Sequence, residues 1–224
     1  MKILALDTST AACSVALWDD GRVDERFELG QQHSQRILPM IDALLGDAGL
    51  PLGALDAVAF GRGPGSFTGL RIGAAVAQGL GFAADLPVVP VSSLAALAEA
   101  EARPRVLTAV DARMNQVYWA AYVRDGRARP RLVGHEIVAA PADLPLPLDS
   151  GWWGAGSGWD LYAARFLERW PERVGGWTPR CYPHAGAVAV LGADGFSAGE
   201  ALAAERALPV YVRDDVAKKS AADR

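Results

Sequence analysis

The strongest constraint on the fold is a pattern that occurs twice, in which an apolar strand ends in an aspartate and a hairpin turn follows. Asp7 lies 14 positions before the turn glycine Gly21, and Asp111 lies 15 positions before Gly126. Strand-like runs continue on both sides of each turn. The matched spacing predicts an internal duplication of a three-stranded antiparallel meander. A chance match is the alternative, because the two copies share pattern and hardly any identity.

Helix and strand patterns alternate through the rest of the first half. The predicted meander covers residues 2–8, 13–18 and 22–29, and helical spacing of apolar residues predicts helices over 35–45 and 67–83. Buried strands are predicted at 55–60 and 87–91, with another helix from about Ser93. This order indicates an α/β fold. Arg103, Pro104 and Arg105 interrupt a helical pattern and mark the boundary between the halves.

The second half is readable mainly at its start. Strands are predicted at 105–110, 117–123 and 132–138, and helices at 160–170 and 185–191. The spacing of Ser197 and Glu200 matches a capping box and predicts a further helix, followed by a final strand at 210–213. Five tryptophans lie between residues 152 and 177. They form either a base-stacking platform or part of the core and loop surface. The lack of interleaved basic residues favours the second alternative.

Composition excludes several classes of protein. The 22 basic and 26 acidic residues give a net charge of −4, which disfavours nucleic-acid binding by bulk charge. Two distant cysteines, Cys13 and Cys181, fit a reducing compartment. Asp7 ends the first apolar run too early for a signal peptide, and the apolar stretches 72–84 and 86–98 are too short to span a bilayer. We expect a soluble, cytoplasmic protein.

Residues 61–73 combine a strand end, a glycine-rich turn and a helix start capped by Ser66. Such a turn either presents backbone N–H groups to an anion or is simply a tight turn. The spacing excludes both the Walker loop and the G-x-G-x-x-G loop. Within the helix, Gly69, Gly73, Ala77 and Gly81 recur every four residues, although each helical glycine costs about 1 kcal/mol. This ridge predicts close approach of another helix, from this chain or from a second protein.

Other candidate groups carry weaker signals. Asp7, followed by Thr8 and Ser9, is either part of a phosphate turn or an ordinary strand-end aspartate, and the absence of a glycine favours the latter. The segment 111–113, Asp-Ala-Arg, is a local ion pair or an exposed contact point. The histidines His33, His135 and His184 have no metal-ligand spacing, so no metal site is expected.

Several of these segments together resemble the bacterial TsaB (YeaZ) family along nearly the whole chain. They are residues 7–9, 63–73, 111–113, 117–118, 209–213 and 216–217. The resemblance implies an actin-like ATPase (ASKHA) fold of two ribonuclease-H-like lobes, with residues 1–103 and 104–224 as the lobes and the last segment returning to the first. It also implies a part in making N6-threonylcarbamoyladenosine at position 37 of tRNA.

The resemblance further implies a non-catalytic subunit. The catalytic paralogue, TsaD, binds a metal through two histidines whose positions correspond here to Ser93 and Leu97, and neither residue replaces an imidazole ligand. No catalytic residue, cofactor or metal is therefore expected. The alternative is a free-standing enzyme, either an actin-like phosphotransferase or a metallopeptidase.

The family also pairs through the two helices of its first lobe. The implied partners are TsaD, the small ATPase TsaE on the assembled complex, tRNA mainly through the partner, and a second copy when the chain is alone; no membrane is involved. The residues expected at the partner interface are Ile37, Met40, Ile41, Leu44, Gly69, Leu70, Gly73, Ala74 and Ala77.

Overall fold

A computed structural model describes residues 1–30, 32–126, 128–145 and 149–212, which contain two five-stranded sheets. The first sheet has the order β3-β2-β1-β4-β5, in which β1, β2 and β3 are antiparallel while β4 and β5 run parallel to β1. Its elements are β1 (Lys2–Asp7), β2 (Ala12–Asp19), β3 (Arg22–Leu29), α1 (His33–Ala48), a short 3₁₀ helix (Leu52–Ala54), β4 (Ala57–Gly63), α2 (Phe67–Ala84) and β5 (Val88–Ser92).

The second sheet repeats this arrangement. The elements after β5, in chain order, are α3 (Ser93–Glu101), β6 (Arg105–Asp111), β7 (Val117–Val123), β8 (Arg131–Ala139), β9 (Trp152–Ala155), α4 (Ser157–Arg169), β10 (Val174–Thr178), α5 (Ala185–Ser197) and a 3₁₀ turn (Ala204–Arg206). The order β10-β9-β6-β7-β8 has the same parallel and antiparallel pairs as the first sheet. The predicted duplication and the α/β class are therefore confirmed, and the fold is two ribonuclease-H-like lobes.

Helices cover both faces of the first sheet. Leu4 and Leu6 of β1 contact the apolar sides of α1 and α2, while Ile3 and Ala5 face α5, as the alternation of a strand requires. A methyl group at Gly192 of α5 would lie 2.4 Å from the Ala59 side chain, so this helix lies very close to the sheet. The chain thus returns to the first lobe through α5.

The tryptophan-rich stretch contains two strands that the sequence patterns did not predict, β9 and β10. Trp159 is fully buried and donates to the Leu107 carbonyl at 2.7 Å, and its ring centroid lies 4.7 Å from that of Phe166. A methyl group at Gly154 would lie 2.3 Å from the Trp159 ring, which explains a glycine inside β9. The buried rings form a hydrophobic core in the second lobe. This agrees with the prediction of core packing and not with a base-stacking platform.

The end of the chain differs from its prediction. Ser197 does not begin a new helix: it is the last residue of α5, and its hydroxyl donates to the Ala193 carbonyl at 2.9 Å. Because that hydroxyl already bonds within α5, no capping box forms, and only the 3₁₀ turn follows. Val210 donates one backbone hydrogen bond to Arg62 without forming a strand. Tyr211 and Val212 form no strand either, while Arg213 and the segment 216–217 lie outside the described residues.

Among the helices in the described ranges, none combines the length and the apolar character needed to cross a lipid bilayer.

Candidate functional site

The turn after β1 packs directly against the glycine-rich start of α2. The Thr8 hydroxyl donates to the Gly69 carbonyl at 2.7 Å, and the Ser66 amide donates to the Ser9 carbonyl at 2.6 Å. A methyl group at Gly65 would lie 2.2 Å from the Ser9 carbonyl oxygen, and one at Gly69 would lie 1.9 Å from that of Thr8. Only glycine permits this contact between two backbone segments.

The ridge of small residues on α2 therefore faces inward. A methyl group at Gly73 would lie 2.7 Å from the Thr8 hydroxyl, and one at Gly81 would lie 2.6 Å from the Ala204 side chain. The prediction of close approach is confirmed, but the approaching groups are a turn and a C-terminal segment of the same chain, not a helix.

Several backbone donors of this turn are bonded within the chain. Besides the Ser66 amide, the Gly69 amide donates to the Ser66 side chain at 3.3 Å, and the Leu70 amide donates to the Ser66 carbonyl at 2.9 Å. Ser66 is thus the helix N-cap, as expected. Since these three donors are bonded within the chain, the geometry favours a tight structural turn over an anion cradle.

Asp7 lies at the centre of this closed turn and is fully buried. Its Oδ1 accepts from the Ser9 amide at 2.9 Å and from the Ser9 hydroxyl at 2.7 Å, whereas Oδ2 has no hydrogen-bond partner among the described residues. A methyl group at Gly61 would lie 2.0 Å from Oδ2, so the carboxyl rests on the β4 backbone. Burial raises the pKa of Asp7, although the bonds from Ser9 oppose the shift. Asp7 is therefore poorly placed to bind a phosphate-bound metal.

The two positions that correspond to metal histidines in the paralogue are also in the interior. Ser93 begins α3, Leu97 lies one turn later, and both are fully buried. The Ser93 hydroxyl has no hydrogen-bond partner in the described part of the chain and points towards the same Gly61 position as Asp7. Across residues 1–30, 32–126, 128–145 and 149–212, no group of three or more His, Cys, Asp and Glu side chains is arranged to hold a metal.

The nine expected interface residues are all buried within the chain itself. They are Ile37, Met40, Ile41, Leu44, Gly69, Leu70, Gly73, Ala74 and Ala77. They belong to the sides of α1 and α2 that contact the first sheet, because the apolar periodicity of each helix marks its core side. Their contact with a partner stays a prediction, since none of them is exposed in the single chain. Contact of the two helices with a partner likewise stays a prediction, and it requires their opposite sides.

The opposite side of α2 carries a second series of small residues that the sequence analysis missed. Ala75, Gly79 and Ala83 are exposed and follow one another every four residues. A methyl group at Gly79 would meet nothing within 4 Å, so packing within the chain does not require this glycine. Phe82 lies beside them, and Leu38 is exposed on α1. The sequence signal for this series was its four-residue spacing. The series is shifted by two positions relative to the buried ridge.

A polar contact joins the two lobes. Glu136 of β8 accepts hydrogen bonds from Ser92 at the end of β5 and from the Tyr122 hydroxyl, the latter at 3.2 Å. It also lies 3.6 Å from the Arg62 guanidinium of β4, and its side chain is largely buried. Burial, with the nearby Glu136 charge, raises the pKa of Tyr122, so this hydroxyl stays protonated and donates. The network holds the edge of the second sheet against the first.

The segment 111–113 forms the local ion pair that was one of its two interpretations. The Arg113 guanidinium lies 3.1 Å from Asp111, and the Arg113 amide donates to the same carboxylate at 2.9 Å. The Arg113 side chain is also 87% exposed, so the contact-point interpretation is compatible with its position.

Two of the histidines make structural contacts. His184 precedes α5 and lies 2.9 Å from Glu25 of β3, which also accepts from the Gly186 amide. This hydrogen bond raises the pKa of His184. His33 contacts the Ala12 carbonyl at 3.1 Å. Both residues tie helix starts to the first sheet.

The duplicated lobes define an actin-like ATPase-type fold. Within this fold class, comparison with known proteins relates the chain to proteins of tRNA modification. The family model described as "TsaD: tRNA N6-adenosine threonylcarbamoyltransferase" matches residues 28–151. A solved structure, YeaZ from Pseudomonas aeruginosa, superposes with a TM-score of 0.87 at 45% identity, covering 94% of this chain and 99% of that one.

Curated relatives narrow the class further. The tRNA threonylcarbamoyladenosine biosynthesis protein TsaB of Escherichia coli (strain K12) is 42% identical over 98% of this chain and 97% of its own length. The protein of the same name from Haemophilus influenzae is 55% identical over 56% of this chain and 55% of its own length. The chain belongs to the TsaB family.

Proposed function

We propose that this chain is a non-catalytic subunit required for threonylcarbamoylation of adenosine 37 of tRNA, and that it binds and activates the catalytic paralogue TsaD. Similarity to a TsaB protein along 98% of the chain supports the pathway. The match of residues 28–151 to the TsaD model supports descent from a common ancestor with the proposed partner.

The observation that carries the non-catalytic role is the burial of Asp7. A carboxylate that holds a metal-bound phosphate needs an open side and a charge, whereas here one oxygen is bonded to Ser9 and the other rests on Gly61. Burial also favours the neutral acid. The glycine-rich start of α2 closes the turn from above, so neither a phosphotransferase nor a metallopeptidase site is supported at this place.

The outer side of α1 and α2 is the proposed contact surface for the partner. Gly79 is exposed and lies between Ala75 and Ala83. It destabilises the helix by about 1 kcal/mol relative to alanine and does not contribute to packing inside the chain. Small residues at this spacing let a second helix approach closely, while exposed Phe82 supplies apolar area at the border. We propose that the same surface pairs two copies when the partner is missing.

The remaining assignments follow the family resemblance. The small ATPase TsaE is proposed to bind the assembled pair, and the modification is proposed to take place in the cytoplasm. A net charge of −4 supports tRNA binding mainly through the partner, because phosphate backbones are held by clustered basic residues.

The experiment is binding and activity with purified TsaD. Gly79→Leu places a bulky side chain on the proposed surface, and Ala164→Leu on the exposed side of α4 is the matched control. We expect Gly79→Leu to abolish co-elution and tRNA modification, while the control retains both. Asp7→Asn should retain modification, because the carboxylate has no catalytic duty. Loss of modification by Asp7→Asn with binding intact would contradict the non-catalytic role.

A further inference from the structure

Arg71, in the second turn of α2, lies over the ring of Phe67 on the surface, with the ring of Tyr211 to one side. Its guanidinium carbon lies 3.3 Å from the Phe67 ring centroid and 5.5 Å from that of Tyr211. The two ring centroids are 5.7 Å apart. Phe67 is 59% exposed and Tyr211 is 44% exposed, so the stack lies at the surface and not in the core.

Among the described residues, the Arg71 guanidinium has ring contacts but no hydrogen bond or ion pair. Several other arginines are paired with carboxylates, as Arg36 is with Glu28 and Arg124 with Glu99. Stacking fixes the plane of the guanidinium while its N–H groups at the edge stay available. A planar donor that is already oriented loses little rotamer entropy when a ligand binds.

Tyr211 reaches this position because the segment 202–212, here called the C-terminal strap, is bonded along the first lobe. Leu202 pairs with Val88, the Gln78 side chain donates to the Ala207 carbonyl at 3.1 Å, and the Val210 amide donates to the Arg62 carbonyl at 2.8 Å. These bonds fix the strap beside α2. The Leu208 and Val210 side chains of the strap are exposed, as is that of Tyr211.

We propose that Arg71, with Phe67 and Tyr211, binds a carboxylate side chain of the partner protein, and that the C-terminal strap extends the partner surface beyond α1 and α2. The proposal rests on the proposed function, because it names the chemistry by which that partner is recognised. A guanidinium fork matches a carboxylate with two parallel hydrogen bonds. Surrounding apolar side chains exclude water and strengthen the pair, as at interface hot spots.

A protein carboxylate fits the surroundings better than an RNA phosphate. Binding to an RNA backbone depends on several cations in a row. The contacts of Arg71 in the described part of the chain are instead the Phe67 and Tyr211 rings, and Ala75, one turn later on α2, is apolar and exposed. The net charge of −4 disfavours a polyanionic backbone more strongly than a single carboxylate.

The test measures the affinity for purified TsaD by titration calorimetry. Arg71→Gln removes the charge, Arg71→Lys keeps the charge without the planar fork, and Arg165→Gln is the matched control. Arg165 is also an exposed helical arginine near an aromatic ring, 5.7 Å from that of Tyr162, but it lies on the second lobe. We expect Arg71→Gln to weaken binding at least tenfold, Arg71→Lys to recover little of the loss, and the control to bind like the wild type.

The outcomes separate the two proposals. Wild-type affinity for Arg71→Gln, while Gly79→Leu still abolishes binding, overturns the carboxylate site and leaves the proposed function standing. Absence of any binding by the wild-type chain overturns the proposed function, and the carboxylate site with it. If Arg71→Gln keeps its affinity for TsaD but weakens tRNA binding by the assembled complex, the ligand is RNA and the proposal is wrong. Urea unfolding of each variant checks that it is folded.

Discussion

Replacing Asp7 by asparagine tests whether the turn after β1 holds a neutral acid. Asparagine has nearly the same shape and keeps the oxygen that accepts from the Ser9 amide and hydroxyl. What it removes is the titration of a fully buried carboxyl whose second oxygen has no partner among the described residues. The variant therefore changes the protonation of the turn with little change in its packing.

The direction in which stability changes with pH follows from the raised pKa of Asp7. Asp7 keeps its proton to higher pH in the folded chain than in the unfolded chain, where its pKa is 3.8. Stability from this group is thus fully present below that pH and is lost as the pH rises through the folded pKa. Each unit by which the pKa is raised corresponds to about 1.4 kcal/mol. At pH 8 we expect Asp7→Asn to be more stable than the wild type by about 1–3 kcal/mol, because an unpaired buried charge costs more than the unpaired amide that replaces it.

Urea unfolding of both proteins from pH 4 to pH 8 measures this difference. Comparing wild type and variant at each pH cancels the part of the His184 contribution that is common to both, leaving its interaction with Asp7 in the difference. The difference in free energy of unfolding should grow with pH and then level off. A variant that is less stable at pH 8, with a difference that does not depend on pH, would show that Asp7 is charged and neutralised in the folded chain, and would refute the reasoning.

Substitutions at four further positions test other parts of the structure by urea unfolding. Gly69→Ala should destabilise by about 3 kcal/mol, because its methyl group would overlap a backbone carbonyl, whereas Gly79→Ala on the open side of the same helix should stabilise by up to about 1 kcal/mol; equal effects would show that α2 is oriented differently. Glu136→Ala should cost about 1–3 kcal/mol and Glu136→Gln clearly less, since glutamine keeps an acceptor; no loss in either would mean that the lobes are joined by other contacts. The His184 pair with Glu25 is worth about 1 kcal/mol below the unfolded pKa of 6.5, and this contribution is lost as the pH rises through the raised folded value. His184→Gln should abolish that decline, and an unchanged pH profile would exclude the pair as its cause.

The meander and its repeat were predictable because strand periodicity and turn residues are local signals. The strand ends at Asp7 and Asp111 and the helix cap at Ser66 were recognised for this reason. The strands β9 and β10 were not, because four to five residues rich in glycine and tryptophan carry no alternation. Their glycines are explained only by the rings that lie against them.

The direction of the small-residue ridge was not predictable from spacing. Gly73 and Gly79 look equivalent in the sequence, yet one contacts Thr8 and the other faces open space. Which side of a helix faces the sheet depends on packing with residues that are distant along the chain. Contacts such as those of Glu136 with Ser92 have no sequence signal at all, since 44 positions separate the two residues.

The most direct test of the non-catalytic role is a titration of this chain into a fixed amount of TsaD, with the rate of tRNA threonylcarbamoylation as the readout. A subunit that acts by binding should raise the rate in proportion to its concentration, with saturation near stoichiometric amounts. Full activation by about a hundredth of that amount would show that the chain turns over as an enzyme and would contradict the proposed role.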